Sequence, residues 1–167
     1  MSLFIGSESF FFLGLVVAYL VFRDQGLVIA RAQLDIGRTA LFSALLFASS
    51  ATIARAVRSR DRRWLAVTGG LGLVFLAGQG AEYTRLLSAG ITPGNALFGT
   101  SFFTLTGLHA VHVLAGLALL AGLFIATGAR PRRIGAVAWD TIGLYWHFVD
   151  AVWVVVFSVI YLGTLVG

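Results

Sequence analysis

Five apolar runs, each about long enough to cross a bilayer as a helix, leave this 167-residue chain few folds to choose from. They lie at roughly Leu3–Phe22, Thr39–Val57, Trp64–Leu87, Ala96–Ala126 and Asp140–Val166. A helix needs about 20 residues to span a ~30 Å hydrocarbon core. The runs are continuous rather than alternating, and backbone groups in lipid must be satisfied within their own segment, so helices are expected rather than barrel strands. The fourth and fifth runs exceed the bilayer's requirement and must tilt or project into the interface. The connections are short: Arg58-Ser59-Arg60-Asp61-Arg62-Arg63 is a tight charged turn, and Ser88–Asn95 holds Gly90, Pro93 and Gly94. With 59% hydrophobic residues the chain exceeds the 45–50% usual for soluble domains. The expectation is an all-α polytopic membrane protein, a single five-transmembrane-helix bundle over residues 1–167.

Charge sets an orientation. All twelve basic residues are arginine, and they cluster between the apolar runs, where they read as topology determinants rather than a nucleic-acid surface. Arg55, Arg58, Arg60, Arg62, Arg63, Arg130, Arg132 and Arg133 border the second and fourth connections. Only Arg23, Arg31, Arg38 and Arg85 border the first and third. This asymmetry predicts a cytoplasmic amino terminus and an outer carboxyl terminus. Trp64 and Trp139 then fall at inner helix ends as aromatic anchors. The first run contains Glu8, lacks a basic leader and is too long for a signal core, so no removable signal peptide is expected. Cysteine is absent, which excludes disulfides and cysteine-ligated metal centres made by this chain alone.

Seven acidic, amide or imidazole side chains fall well inside the runs: Glu8, Gln79, Glu82, His109, His112, His147 and Asp150. Such groups are costly at bilayer depth, at least ~2.5–3.5 kcal/mol for a charge, and normally face protein. Gln79 and Glu82, His109 and His112, and His147 and Asp150 are each three apart, so each pair shares a helix face. Gly116 continues the His109/His112 face and permits close helix approach. Trp146, Asp150 and Trp153 follow i, i+4, i+7, which sets the carboxylate between aromatic rings. At ~1.5 Å per residue, Glu8 lies about 8 Å from the inner end of its helix and His147 and Asp150 roughly 9–14 Å from theirs. At these depths the three can meet in the inner half of the bundle. Glu82, near the outer end of its helix, lies within reach of interfacial water or Arg85, and His109 and His112 read as packing and hydrogen-bonding residues. Thr100, Ser101, Thr104 and Thr106 form an expected packing surface.

Three motifs give these residues a family context. The first run reads Phe4-Ile5-Gly6-Ser7-Glu8-Ser9-Phe10-Phe11-Phe12; the middle reads Gln79-Gly80-Ala81-Glu82-Tyr83, Ser101-Phe102-Phe103 and Thr106-Gly107-Leu108-His109-Ala110-Val111-His112-Val113; the last reads Tyr145-Trp146-His147-Phe148-Val149-Asp150 with Trp153. In order and spacing they resemble subunit III of the haem-copper terminal oxidases across essentially the whole chain. The longer members carry two further helices before the Ser-Glu motif. This chain is therefore similar to the five-helix bacterial form, whose missing pair can be carried by an extended subunit I. The resemblance implies a non-catalytic accessory subunit of the bacterial cytoplasmic membrane that packs against subunit I, with subunit II in the same complex. It implies no cofactor bound by this chain, haem and copper lying in partner subunits, and structural phospholipids held between helices. It also implies support of oxygen access and sustained turnover. Glu8 corresponds to the family's carbodiimide-reactive glutamate. Trp146, Trp153, Tyr83 and Gly116 are candidates for lipid or helix contact. Association with a quinol oxidase or nitric-oxide reductase remains open. A reading of another class is a small proton-coupled carrier using Glu8, His147 and Asp150 as a relay.

Overall fold

A computed structural model describes residues 2–22, 35–93, 97–129 and 134–163. They form five helices: α1 (Ser2–Phe22), α2 (Ile36–Ser59), α3 (Arg62–Ser88), α4 (Leu97–Ala129) and α5 (Ala136–Phe157), the last continued by a π-helical turn at Ser158–Leu162. The expected runs overlap these helices, and two of their expected ends, Ala96 and Val166, lie outside the described residues. Arg23, Arg31, Arg130, Arg132 and Arg133, on which part of the orientation argument rests, lie outside the described residues.

Local chemistry explains where the helices begin and end. Asp35 caps α2, its carboxylate accepting from the Arg38 N–H at 3.0 Å, and Asp61 caps α3 by accepting from the Arg63 N–H at 2.9 Å. Acidic side chains suit these positions because the first turn of a helix has unpaired N–H groups and a positive dipole end. Between the two helices Arg60 turns the chain with φ 51°, a left-handed conformation usually left to glycine.

Four helices are long and apolar enough to cross a membrane: Ile36–Ser59, Arg62–Ser88, Gly99–Ala129 and Ala136–Tyr161. α1 contributes a shorter apolar stretch, Ile5–Val21. Only 22% to 44% of each spanning window is buried inside the bundle, so most of its apolar surface points outward. That pattern suits lipid and would be insoluble in water. α4, with 33 residues, is about 50 Å long and exceeds the bilayer, as its sequence suggested.

The packing is a ring of four helices with a fifth outside it. α2 pairs with α3, α3 with α4, α4 with α5, and α5 returns to α2; α1 lies outside against α4 and α5. α5 is the helix with the most buried window, and its core face carries Trp139, Trp146, Val149, Trp153 and Val156. Trp139 is 3% exposed, so it is a core residue and not the interfacial anchor its position suggested.

Candidate functional site

Because α2 and α5 run antiparallel, side chains rising along one meet side chains descending along the other. The Trp146 indole N–H donates to Ser49 Oγ at 2.8 Å, and the Trp153 indole N–H donates to Ser43 Oγ at 2.8 Å. Each serine passes its own proton back to its helix, Ser49 to the Leu46 carbonyl and Ser43 to the Thr39 carbonyl at 2.7 Å. An indole N–H in hydrocarbon needs such an acceptor. Next to the Ser49 rung the Ser50 hydroxyl donates to Asp150 Oδ2 and also lies 3.1 Å from His147 Nδ1. With the serine proton committed to the carboxylate, the Ser50 oxygen accepts from His147, which fixes the proton on Nδ1.

His147 and Asp150 do share the α5–α2 side, but their exposures differ. Asp150 is buried at 4%, whereas His147 is exposed on the outside of the bundle and not buried as expected. The reason is helical phase: His147 follows the fully buried Trp146 by about 100° of rotation.

Glu8 does not join them. Its Oε2 lies 3.1 Å from Nε2 of His112 on α4. The α1 stripe Phe12, Val16 and Tyr19 faces inward, and the Phe12 ring sits edge-on to His112 with centroids 5.1 Å apart. Glu8, one turn before Phe12, follows that stripe to α4. His112 Nδ1 lies 2.9 Å from the Leu108 carbonyl, to which only an N–H can bond. The Glu8–His112 contact therefore shares a single proton, either on the carboxyl or on Nε2. Glu8 and Asp150 have separate partners, His112 on α4 and Ser50 on α2, so the contacts of the described residues do not join Glu8, His147 and Asp150 into the relay on which the carrier reading rested.

The other residues resolve as follows. Glu82 is 6% exposed and accepts from Arg85 Nη2 at 2.6 Å and from the Asp35 N–H at 3.3 Å. Gln79, 5% exposed, lies one turn below, beside Tyr83 and Tyr161. His109 is buried at 1%, stacked on Trp153 with centroids 4.8 Å apart and edge-on to Phe75. Neither of its ring nitrogens finds a hydrogen-bond partner among the described residues, so it packs without the expected hydrogen bond. The three histidines point three ways, toward Trp153, toward Glu8 and outward.

Gly116 admits a close approach, as its position suggested. A Cβ there would stand 3.0 Å from the Trp146 ring, and one on Gly72 of α3 only 2.7 Å from it. Trp146 is thus wedged between two glycines on different helices. The hydroxyl cluster divides: Thr106 is buried, while Thr104 is exposed. Tyr83 Oη donates to Thr106 Oγ1 at 2.6 Å, since Thr106 itself donates to the Phe102 carbonyl. Tyr83→Phe is expected to cost about 0.5–1.5 kcal/mol in thermal unfolding. An unchanged melting temperature would show that this bond adds nothing.

Sequence reasoning missed Ser43, Ser49 and Ser50. A signal was present: serines six and seven residues apart on α2 match the seven-residue spacing of Trp146 and Trp153 on an antiparallel neighbour.

Fold and site together define a polytopic helical membrane protein whose inward polar groups bind helix to helix. Residues 36–164 match the family model described as Cytochrome c oxidase subunit III. Cytochrome c oxidase subunit 3 of Corynebacterium diphtheriae is 34% identical over 171 residues, covering 95% of this chain and 83% of that protein. The Synechocystis protein of the same description is 35% identical over 179 residues, covering 96% and 72%. A probable cytochrome c oxidase subunit 3 of Mycobacterium leprae is 35% identical over 169 residues, covering 94% and 83%. The chain belongs to the cytochrome c oxidase subunit III family.

Proposed function

We propose that the chain serves as a non-catalytic accessory subunit of a haem-copper terminal oxidase in the bacterial cytoplasmic membrane. Family membership over most of the chain carries this reading. In it, all five helices span the bilayer, with the amino terminus inside and the carboxyl terminus outside. Subunit I is the direct neighbour, with subunit II in the same complex. Haem and copper reside in those partners, and this chain contributes packing surface, bound phospholipid and support for oxygen access and sustained turnover. The internal use of its polar groups supports a structural role: Asp150, Trp146 and Trp153 spend their hydrogen bonds on α2, and Glu82 spends its on Arg85 and the α2 start.

Affinity purification through a tag on this chain should bring down subunits I and II with the oxidase's haem absorbance. Recovery of the chain alone from mild-detergent extracts would overturn the proposal. Glu8→Gln tests the role of the α1–α4 contact. A glutamine amide can donate to His112 Nε2, so the contact survives in neutral form at a cost below about 1.5 kcal/mol. Assembly and initial oxygen uptake should therefore match the parent, and working lifetime under turnover should shorten. Initial uptake near zero would assign Glu8 a direct part in turnover.

A further inference from the structure

The turn joining α2 to α3 concentrates positive charge that no carboxylate among the described residues pairs. Residues 55–63 contain Arg55, Arg58, Arg60, Arg62 and Arg63 against a single carboxylate, Asp61, which is engaged as the α3 cap. The ion pairs of the described residues are Asp35–Arg38, Glu82–Arg85 and Glu8–His112, and none includes these five arginines. Two of them are nevertheless held in place. The Arg55 guanidinium lies over the Trp64 ring, 4.8 Å from its centroid, and that of Arg62 lies 5.3 Å from the centroid of Phe124. An arginine stacked on an aromatic face keeps its in-plane N–H groups free for a planar anionic partner. Arg60 occupies the left-handed position where glycine is unstrained, so the chain keeps a charge there at a conformational cost.

Beside this cluster opens a groove of about 710 Å³ lined by Ala51, Ala54, Arg55, Arg58, Ser59 and Trp64. The outer face of α2 continues from it toward the bilayer centre as Ala51, Ala48, Phe47 and Ala44, all exposed. Cationic head, interfacial indole and small apolar track lie in one line. We propose that this face binds an anionic phospholipid, its phosphate held by Arg55 and Arg58 beside Trp64 and an acyl chain laid along the alanine track. Arginine forks match phosphate oxygens bidentately, and basic pockets at the membrane surface between helices select anionic headgroups. A free anion would use the arginines and leave the track empty. This deepens the phospholipid part of the proposed function and rests on the chain being membrane-embedded, not on its partners.

The test uses the complex in which the chain resides, in phosphatidylcholine nanodiscs, with trace phosphatidylglycerol carrying a photoactivatable acyl chain. Labelled peptides of this chain are mapped by mass spectrometry. Residues 44–64 should be labelled about tenfold or more above the level given by a matched phosphatidylcholine probe, and less as salt is raised. Arg55→Gln/Arg58→Gln should bring the two probes to parity, and Arg38→Gln at the opposite end should change nothing. The salt response of the parent protein decides the matter even if the double variant fails to accumulate. Equal labelling by both probes, salt-independent labelling, or full competition by inorganic phosphate would each overturn the proposal. A complex lacking oxidase subunits would refute the accessory role without affecting this readout.

Discussion

Trp146→Ala should destabilise the bundle by about 3–5 kcal/mol, the cost of emptying a large aromatic site in a core that cannot collapse. Trp146 is fully buried and reaches three neighbours at once. Its indole N–H donates to Ser49 on α2, and its ring fills the space left by Gly72 on α3 and Gly116 on α4. Truncation would leave Ser49 without its donor and a void that both glycines line. Trp146→Phe separates the effects: most of the ring volume stays while the N–H is lost, so the cost should fall toward that of one hydrogen bond, about 1 kcal/mol. The reverse error, Gly116→Ala, drives a methyl 3.0 Å from the ring and should cost about 1–3 kcal/mol. Combined with Trp146→Ala, Gly116→Ala should lose most of that penalty, because its clash partner is gone. Strict additivity of the two changes in detergent unfolding would show that the wedge does not exist.

The same residues mark what could be read before the helices were assembled. Span positions follow from apolar run length, and the inward face of α5 follows from the seven-residue spacing of Trp146 and Trp153 around Asp150. The Glu82–Arg85 pair was legible because both residues belong to one helix three positions apart. Depth and phase fix a side chain's height and direction on its own helix, but they do not name the helix it meets. Glu8 was at a height compatible with Asp150, yet the stripe running through Phe12 to Tyr19 turns it toward α4 and His112. His147 shares a broad face with Asp150, but one residue's rotation from Trp146 carries it outside. Ser50 gives no such signal, because a serine is cheap in an apolar helix where a carboxylate or an imidazole is costly. The costly groups still needed a partner, and a hydroxyl supplies one at little expense.

Ser50→Ala is therefore expected to have an effect out of proportion to the single oxygen removed. The Ser50 hydroxyl is the hydrogen-bond partner of Asp150 Oδ2, and Oδ1 has none among the described residues. Alanine would leave a carboxyl group that is only 4% exposed without any hydrogen bond, at about 1–3 kcal/mol and more if it carries charge. His147 also loses its acceptor, but its exposed position lets it turn to other partners, so Asp150 sets the penalty. The distinguishing measurement is the double variant. Asp150→Val alone removes the costly group but leaves Ser50 able to donate back to its own helix, whereas Ser50→Ala alone strands the carboxyl. Adding Asp150→Val to Ser50→Ala should then recover part of the lost stability, with a coupling of about 0.5–3 kcal/mol in a double-mutant cycle. Yield of assembled complex should follow the same order. If Ser50→Ala melts with the parent, or if the double variant is simply the sum of the singles, Asp150 is stabilised by something other than α2.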